Sequence, residues 1–473
     1  MNALTPWQRI ALIACLGFGF YEVCSHLEHF SSISFLAALL LLEVIVASLW
    51  KYKERFFLLL MIAFLWAGMH VPLQAAWTSG RWFVLTAGTL TGWIVWIDSP
   101  QRTFRKVHLI AFFCAAAALV SATVSPFPQM ALYKAVSLFL LFLYCVSGAR
   151  LAVLGREQRF FRGLLLAGEI AVYITAICYF ALHETIWGNP NSLGVAMSVG
   201  VFPLLLWGWF VSDGPLLKFR RLIALLVCVS LVAFSMARAG IISIVLVTLV
   251  FCLGLRQYKL LARIVALVLA LVAVTGMFAP DTLHTSFLNL KDAALYKGHK
   301  EEGMLGSRRT PWEKSIETMK EHPWFGTGYG TSPTGEDPGF AFGKYASTAE
   351  TAREHGSSYI TILEWVGLLG VMPFTALLLY TACNAARVVA WMHRTSEARH
   401  YAVPMAMIVL AGMMHASFED WLFAVGAYPC VYFWVFAFLL ADLQPPEVSR
   451  PSFAALPRSF VPRQDLGMVP LSR

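Results

Sequence analysis

The chain has 473 residues, of which 58% are hydrophobic and 13% charged, with a formal net charge of +9. That composition excludes a soluble globular domain, and the repeated apolar runs, about 16 to 22 residues each, are long enough to cross a bilayer. The positive excess does not point to nucleic acid, because the longest polar segment, 280–356, holds 9 Lys/Arg against 11 Asp/Glu and the excess falls on the connections between apolar runs.

In chain order the runs lie near 9–24, 33–50, 56–76, 82–97, 107–123, 130–147, 161–182, 193–211, 221–236, 239–255, 261–279, 358–383, 401–416 and 421–441. The expected fold is an all-α polytopic membrane protein with about 12–14 transmembrane helices and one large external loop. Its organisation is eleven spans in 1–279, a loop subdomain with short helices in 280–356, three spans in 357–441 and a disordered tail in 442–473 that is rich in proline and arginine.

Charge placement gives a direction. Counted from a cytoplasmic N-terminus, the connections after even-numbered spans, together with Arg9 and the tail, hold 24 of the 36 Lys/Arg. The short connections on the other side carry only Arg81, Lys134 and Arg238, and the remaining nine lie in 280–356. The positive-inside rule therefore puts both termini in the cytoplasm and the long loop outside. The nine cysteines sit in or at the ends of the spans without CxxC spacing, so neither disulfides nor zinc is expected. No small-residue cleavage site follows the first span, which is expected to serve as an uncleaved anchor.

Few polar residues interrupt the apolar pattern. Glu43, Glu169 and Glu364 fall inside spans, where pairing within the bundle is the expected role. Lys134 and Arg238 stand at span ends on the side poor in positive charge, and each is either an interfacial cation or a functional one. NPNSLGVAMS (189–198) reads as a proline turn with Asn191 as a helix cap. In the long loop, GSRRTPWEKSIETMKEHPWFGTGYG (306–330) predicts a helix with Thr310 at the N-cap, Pro311 at the first position and Glu313 completing a capping box. Arg308 and Arg309 would then stand just ahead of a helix N-terminus, which favours anions, so the pair is a candidate phosphate clamp. FGTGYGTS (325–332) lacks the GK[ST] ending of a nucleotide loop and reads as a turn. Glu354 and His355 mark the junction of loop and span, with His355 a candidate general base. His415, Glu419 and Asp420 form a second polar knot on the outer side, which either binds substrate or caps the last span. No DxD or HExxH occurs, so no metal is expected.

The ordered combination SATVSPFPQMALYKAVSL, GNPNSLGVAMSVGVFPLL, SMARAGIISI, GSRRTPWEKSIETMKEHPWFGTGYG, HGSSYITILEWVGLLG and HASFEDWLF, from about residue 120 to 440, resembles the O-antigen ligase/polymerase superfamily. The resemblance implies a bacterial inner-membrane glycosyltransferase without cofactor. Its donor would be an undecaprenyl-diphosphate-linked glycan and its acceptor lipid A–core or a growing glycan. It implies that Arg238 and Arg308 engage the donor diphosphate with Arg309 beside them, that Lys134 matches a basic position near its span start, and that Trp312 matches an aromatic one turn after the loop arginine. His355 would activate the acceptor hydroxyl. Gly356 follows it where the family has asparagine, and aligning on the GLLG run sets Gly356 at the catalytic position. Protein O-oligosaccharyltransferases belong to the same superfamily. A lipid-linked oligosaccharide flippase is the alternative outside it, disfavoured by the absence of two related halves.

Overall fold

The computed structural model describes residues 55–71, 74–97, 104–278, 306–332 and 355–446. The first two expected spans, Glu43, Glu354, the rest of the long loop and the tail beyond 446 lie outside the described residues. Among the described residues the regular structure is helical with no strand, and the chain is an all-α polytopic membrane protein.

In order, the helices are α1 Phe56–Gly68, α2 Gln74–Ile97, α3 Lys106–Ala122, α4 Pro128–Val146, α5 Gly148–Val153 and α6 Glu157–Ala176, the last extended by a π turn over Ile177–Ala181. Then come α7 Pro190–Val195, joined through a π turn at Ala196–Val201 to α8 Phe202–Val211, and α9 Pro215–Phe234, α10 Arg238–Gly254 and α11 Tyr258–Phe278. The set closes with α12 Gly306–Glu321, α13 Ser358–Thr395, α14 Ala402–His415 and α15 Tyr428–Asp442. Every expected span after residue 55 has a helix at its place. Four stretches, Pro128–Val153, Glu157–Ala181, Pro190–Val211 and Ser358–Thr395, are long and apolar enough to cross a membrane on their own, and several others are apolar but shorter.

Several boundaries differ from expectation: α1 ends at Gly68 instead of near 76, α9 starts at Pro215 instead of near 221, and α13 runs to Thr395 instead of near 383. α2 starts at Gln74 instead of near 82, so Arg81 lies within it, where its Nη1 donates to the Gly426 carbonyl at 2.7 Å and its guanidinium lies over Trp82. The last span starts at Tyr428 instead of near 421, because Glu419 and Asp420 are held in a loop by contacts described below and Pro429 favours a helix start.

α14 and α15 form the centre. Both are apolar on every side, and α15 is buried from Tyr428 to Ala441, as a helix without a polar face must be if it is surrounded by others. Inside a bilayer, association rests on close packing and interhelical hydrogen bonds. Trp434 meets Phe142 of α4 edge-on at 5.4 Å, the Tyr432 hydroxyl donates to the Gly200 carbonyl at 2.8 Å, and Ser243 of α10 donates to the Ala411 carbonyl of α14 at 3.2 Å. At one end of the bundle, Asp442 takes Arg150 at 2.8 Å and Arg105 at 3.0 Å. Glu169 is paired with Arg220 at 2.9 Å and Arg221 at 3.5 Å, which matches the structural role expected of it.

The opposite end gathers the N-termini of α7, α10, α13 and α15, the C-terminus of α14 and the helix α12. There α13 is broken. Gly367 has φ +66° and ψ −173°, so the carbonyls of Glu364 and Trp365 are released from helical pairing. The glycine-rich segment takes them up: Thr327 N–H donates to Glu364 O at 3.0 Å and Gly328 N–H to Trp365 O at 3.1 Å. In return, Leu368 and Leu369 N–H donate to the carbonyls of Pro323 (2.8 Å) and Trp324 (3.2 Å). A helix break inside a membrane bundle needs such partners.

Candidate active site

The glycine-rich segment, which the sequence reads as a turn, is a buried plug. Residues 326–332 are buried, with the Tyr329 hydroxyl donating to Phe423 O at 2.7 Å and Thr331 Oγ1 against Ser125 Oγ at 2.8 Å. Gly328, at φ +106°, passes so close to α3's end that an added Cβ would lie 2.2 Å from Ser125. Lys134 braces the same segment, its ammonium donating to Gly330 O at 2.5 Å.

On one side of this plug, α12 begins at Gly306, a turn earlier than expected. Pro311 is therefore inside the helix, past its first turn, where it forgoes the bond to the residue 307 carbonyl. Thr310 is not the N-cap and Glu313 closes no capping box. Glu313 instead accepts from Arg309 Nε at 2.7 Å, four residues back, with both side chains largely exposed. Arg308 turns the other way. It is 11% exposed and ion-paired through Nη2 with Oε1 of Glu419. Trp312, one turn on, is partly buried, and its indole N–H finds no partner among the described residues.

Glu419 also accepts from Asn191 Nδ2 at 2.9 Å. Asn191 is thus a ligand of this carboxylate, while Asn189 is the N-cap of α7, its side chain accepting from Ser192 N–H at 2.7 Å. Arg238 opens α10 within range of the charges of Arg308 and Glu419. α10 is close enough to α7 for this because Gly194 stands against Ala237, where a Cβ would come within 2.4 Å. His415 also feels the charge of Arg308. Its Nδ1 accepts from the Trp421 indole at 3.0 Å, and its Nε2 is buried without a partner among the described residues.

The next residue in the loop, Asp420, holds His355. Asp420 Oδ2 lies 3.1 Å from the His355 amide and 3.3 Å from Nδ1. Ser332 Oγ is 2.8 Å from Nε2, Glu364 Oε1 is 3.4 Å from it, and the Trp365 indole donates to Ser332 Oγ at 3.2 Å. With Nδ1–H given to Asp420, the free lone pair of the neutral ring is on Nε2. Burial of His355 (1% exposed) pulls its pKa down, but hydrogen bonds and charge from Asp420 and Glu364 together hold it above the ordinary value. Burial pushes Asp420 up, and the bonds and charge of His355 more than reverse this, leaving it below its ordinary range. Gly356 carries no such constellation. It sits at φ +69° with Arg308 packed on it, an added Cβ coming within 2.8 Å of Arg308 Cδ, so His355 is the residue in the carboxylate pocket despite the one-residue offset.

The structure therefore brings Arg238, Arg308, His355 and His415 to one end of the bundle, sends Arg309 outward, and commits Lys134 to the plug. Sequence alone marks Glu419 and Asp420 as part of a polar knot that either binds substrate or caps the last span, and it gives Ser332 and Asn191 no part in the site. Adjacent acids after a span end were the available signal for the first two; nothing local marks Ser332.

Residues 222–375 match the family described as O-antigen ligase, a segment that contains Arg238, Arg308, Trp312, Ser332, His355 and Glu364. No curated protein matches the chain. The match over that third of the chain supports the resemblance to the O-antigen ligase superfamily, whose members are glycosyltransferase-like ligases and polymerases acting on lipid-linked glycans.

Proposed function

We propose that the protein transfers glycan from an undecaprenyl-diphosphate-linked donor to an acceptor hydroxyl at the periplasmic face of the inner membrane, as a polysaccharide ligase or polymerase. The observation that carries this reading is the adjacency of two functions in one short loop. Glu419 holds the anion-binding arginine Arg308 beside Arg238, and the next residue, Asp420, orients a buried histidine.

The chemistry follows from that arrangement. The acceptor O–H attacks the anomeric carbon, the bond from that carbon to the diphosphate oxygen breaks, and configuration inverts. The proton passes to Nε2 of His355, in the place now taken by the Ser332 hydroxyl, and Asp420 and Glu364 stabilise the imidazolium. The departing lipid diphosphate gathers negative charge, which Arg238 and Arg308 meet with no metal taking part. The donor displaces the Glu419 carboxylate from Arg308, so Glu419 is a resident stand-in for the phosphate. Lys134 supports the plug instead of touching the donor.

The test is transfer by purified protein in lipid vesicles, given undecaprenyl-diphosphate-linked repeat units with and without lipid A–core, products read by gel and mass spectrometry. Glycan on lipid A–core identifies a ligase, and longer lipid-linked chains without it a polymerase. Arg308→Ala should lower transfer at least about 100-fold, the usual effect of removing a group that stabilises developing charge. Arg309→Ala should stay near wild type, since an exposed pair contributes less than about 1 kcal/mol. If labelled donor crosses the bilayer and no transfer occurs, the protein is a flippase.

A further inference from the structure

We propose that the groove between α1, α6, α7–α8 and α15 is a binding site for one anionic phospholipid, whose phosphate is held by Arg55, Arg156 and Arg159. The groove has a volume of about 480 Å³ and is lined over its length by apolar side chains, among them Phe57, Met61, Leu65, Leu164, Leu204 and Tyr432. All three arginines line it at one end. Arg55 precedes α1, and Arg156 and Arg159 flank the start of α6, so they belong to the end of the bundle opposite α12. Under the orientation proposed above, that end is cytoplasmic. The site itself does not depend on the transfer reaction.

Its dimensions suit a lipid of one leaflet. From Arg156 to Ala171 the α6 wall rises about 22 Å at 1.5 Å per residue, against roughly 15 Å for half of a 30 Å hydrocarbon core. Trp187 and Tyr428 wall the far end. Trp187 packs on Tyr428 with ring centres 5.5 Å apart, its indole donates to Thr175 Oγ1 at 3.0 Å, and the Tyr428 hydroxyl donates to Ser192 O at 2.8 Å. An isoprenoid tail coming from Arg238 and Arg308 would meet this wall, while a phospholipid enters headgroup-last from the arginine end. Small residues make room: a Cβ added to Gly163 or Gly200 would meet nothing within 4 Å.

Charge complementarity selects the ligand. Basic pockets between spans recruit anionic headgroups, and arginine's fork matches phosphate oxygens. The nearby Glu157 keeps its charge but turns its carboxylate back to accept from Gly155 N–H at 2.8 Å, and the residues lining the groove include no acid.

Native mass spectrometry of the delipidated full chain, titrated with phosphatidylglycerol, phosphatidylcholine or undecaprenyl phosphate, tests the proposal. Phosphatidylglycerol should bind at least tenfold more tightly than phosphatidylcholine. Replacing Arg156 and Arg159 by Gln should erode that preference by about fivefold per arginine. Gly163→Leu, which fills the groove and leaves the charges, should abolish tight binding of either phospholipid, and thermal unfolding of each variant checks that it is folded. Equal affinity for the two phospholipids overturns the proposal, as does a preference that survives both changes, or displacement of phosphatidylglycerol by undecaprenyl phosphate. None of these readouts requires transferase activity, so failure here leaves the proposed reaction standing, and the reverse.

Discussion

Burial alone would favour neutral His355, yet Asp420 on Nδ1 and Glu364 beside Nε2 raise its pKa above the ordinary value of about 6.5. A base must be neutral to accept a proton, so kcat/KM should rise with pH through a value above that figure. Glu364→Gln removes one of the two raising partners and should move the acidic limb to lower pH, while His355→Ala should cost about 10²–10⁴-fold in rate. A limb that stays in place in Glu364→Gln would assign it to another group. The same contacts affect stability, with the opposite sign for the two partners. The raised His355 contributes fully below about 6.5 and loses its contribution as pH rises through its folded value. Asp420, lowered, contributes above about 3.9 and loses it as pH falls through its own. The difference in Tm between wild type and Asp420→Asn should therefore be largest between those limits. At this scale the sequence is partly legible. An arginine pair beside a helix start announces anion binding, but which of the two faces inward depends on helical register against Glu419, more than a hundred residues away.

Hydrophobic runs predict spans well because a backbone in hydrocarbon must pair its own N–H and C=O groups, and a helix does so within one segment. They say little about where a helix stops being regular. EWVGLLG in α13 reads as uninterrupted, but Gly367 breaks it, and the carbonyls so released are matched by residues 327 and 328 of the plug. The pairing is long-range and leaves no periodicity to read. Gly367→Ala would put a Cβ 2.5 Å from the Trp324 carbonyl and 2.6 Å from the Gly326 nitrogen, both backbone atoms, at a φ of +66°. We expect a loss of at least about 2 kcal/mol, seen as a lowered Tm in detergent, together with loss of transfer, since Glu364 and Ser332 lie on the two sides of this junction. Gly163→Ala, at an ordinary helical φ with open space before it, should be neutral or slightly stabilising. If the two alanines behaved alike, the break would be incidental to the site.

At the scale of the whole molecule, the residues named for the site come from helices α7, α10, α12, α13 and α14, from the segments that hold Ser332 and His355, and from the loop before α15, and all lie at one end. The paired charges Arg105–Arg150–Asp442 lie at the other. The site end is also the end where the connections sparse in Lys/Arg lie, and the proposed orientation turns that end outward. Under the proposed reaction a diphosphate clamp needs arginines, and the proposed outer side has few, so Arg238 and Arg308 would be concentrated where that chemistry needs them. Sidedness can be tested directly. Lys314 of α12 and Lys218 of α9 are both exposed, at opposite ends of the bundle. Among the described residues five of seven natural cysteines are buried and Cys383 is exposed, so labelling is read against the unsubstituted chain. In intact cells a membrane-impermeant maleimide should modify Lys314→Cys and spare Lys218→Cys, and permeabilisation should expose the second. Reversed labelling would put the arginine–histidine site on the side where nucleotide sugars are found, and the donor would then have to be something other than a lipid-linked glycan presented from the periplasm. Equal labelling of both before permeabilisation would contradict the polytopic orientation itself, because two ends separated by α9–α11 cannot face the same solution in a bundle that spans the bilayer.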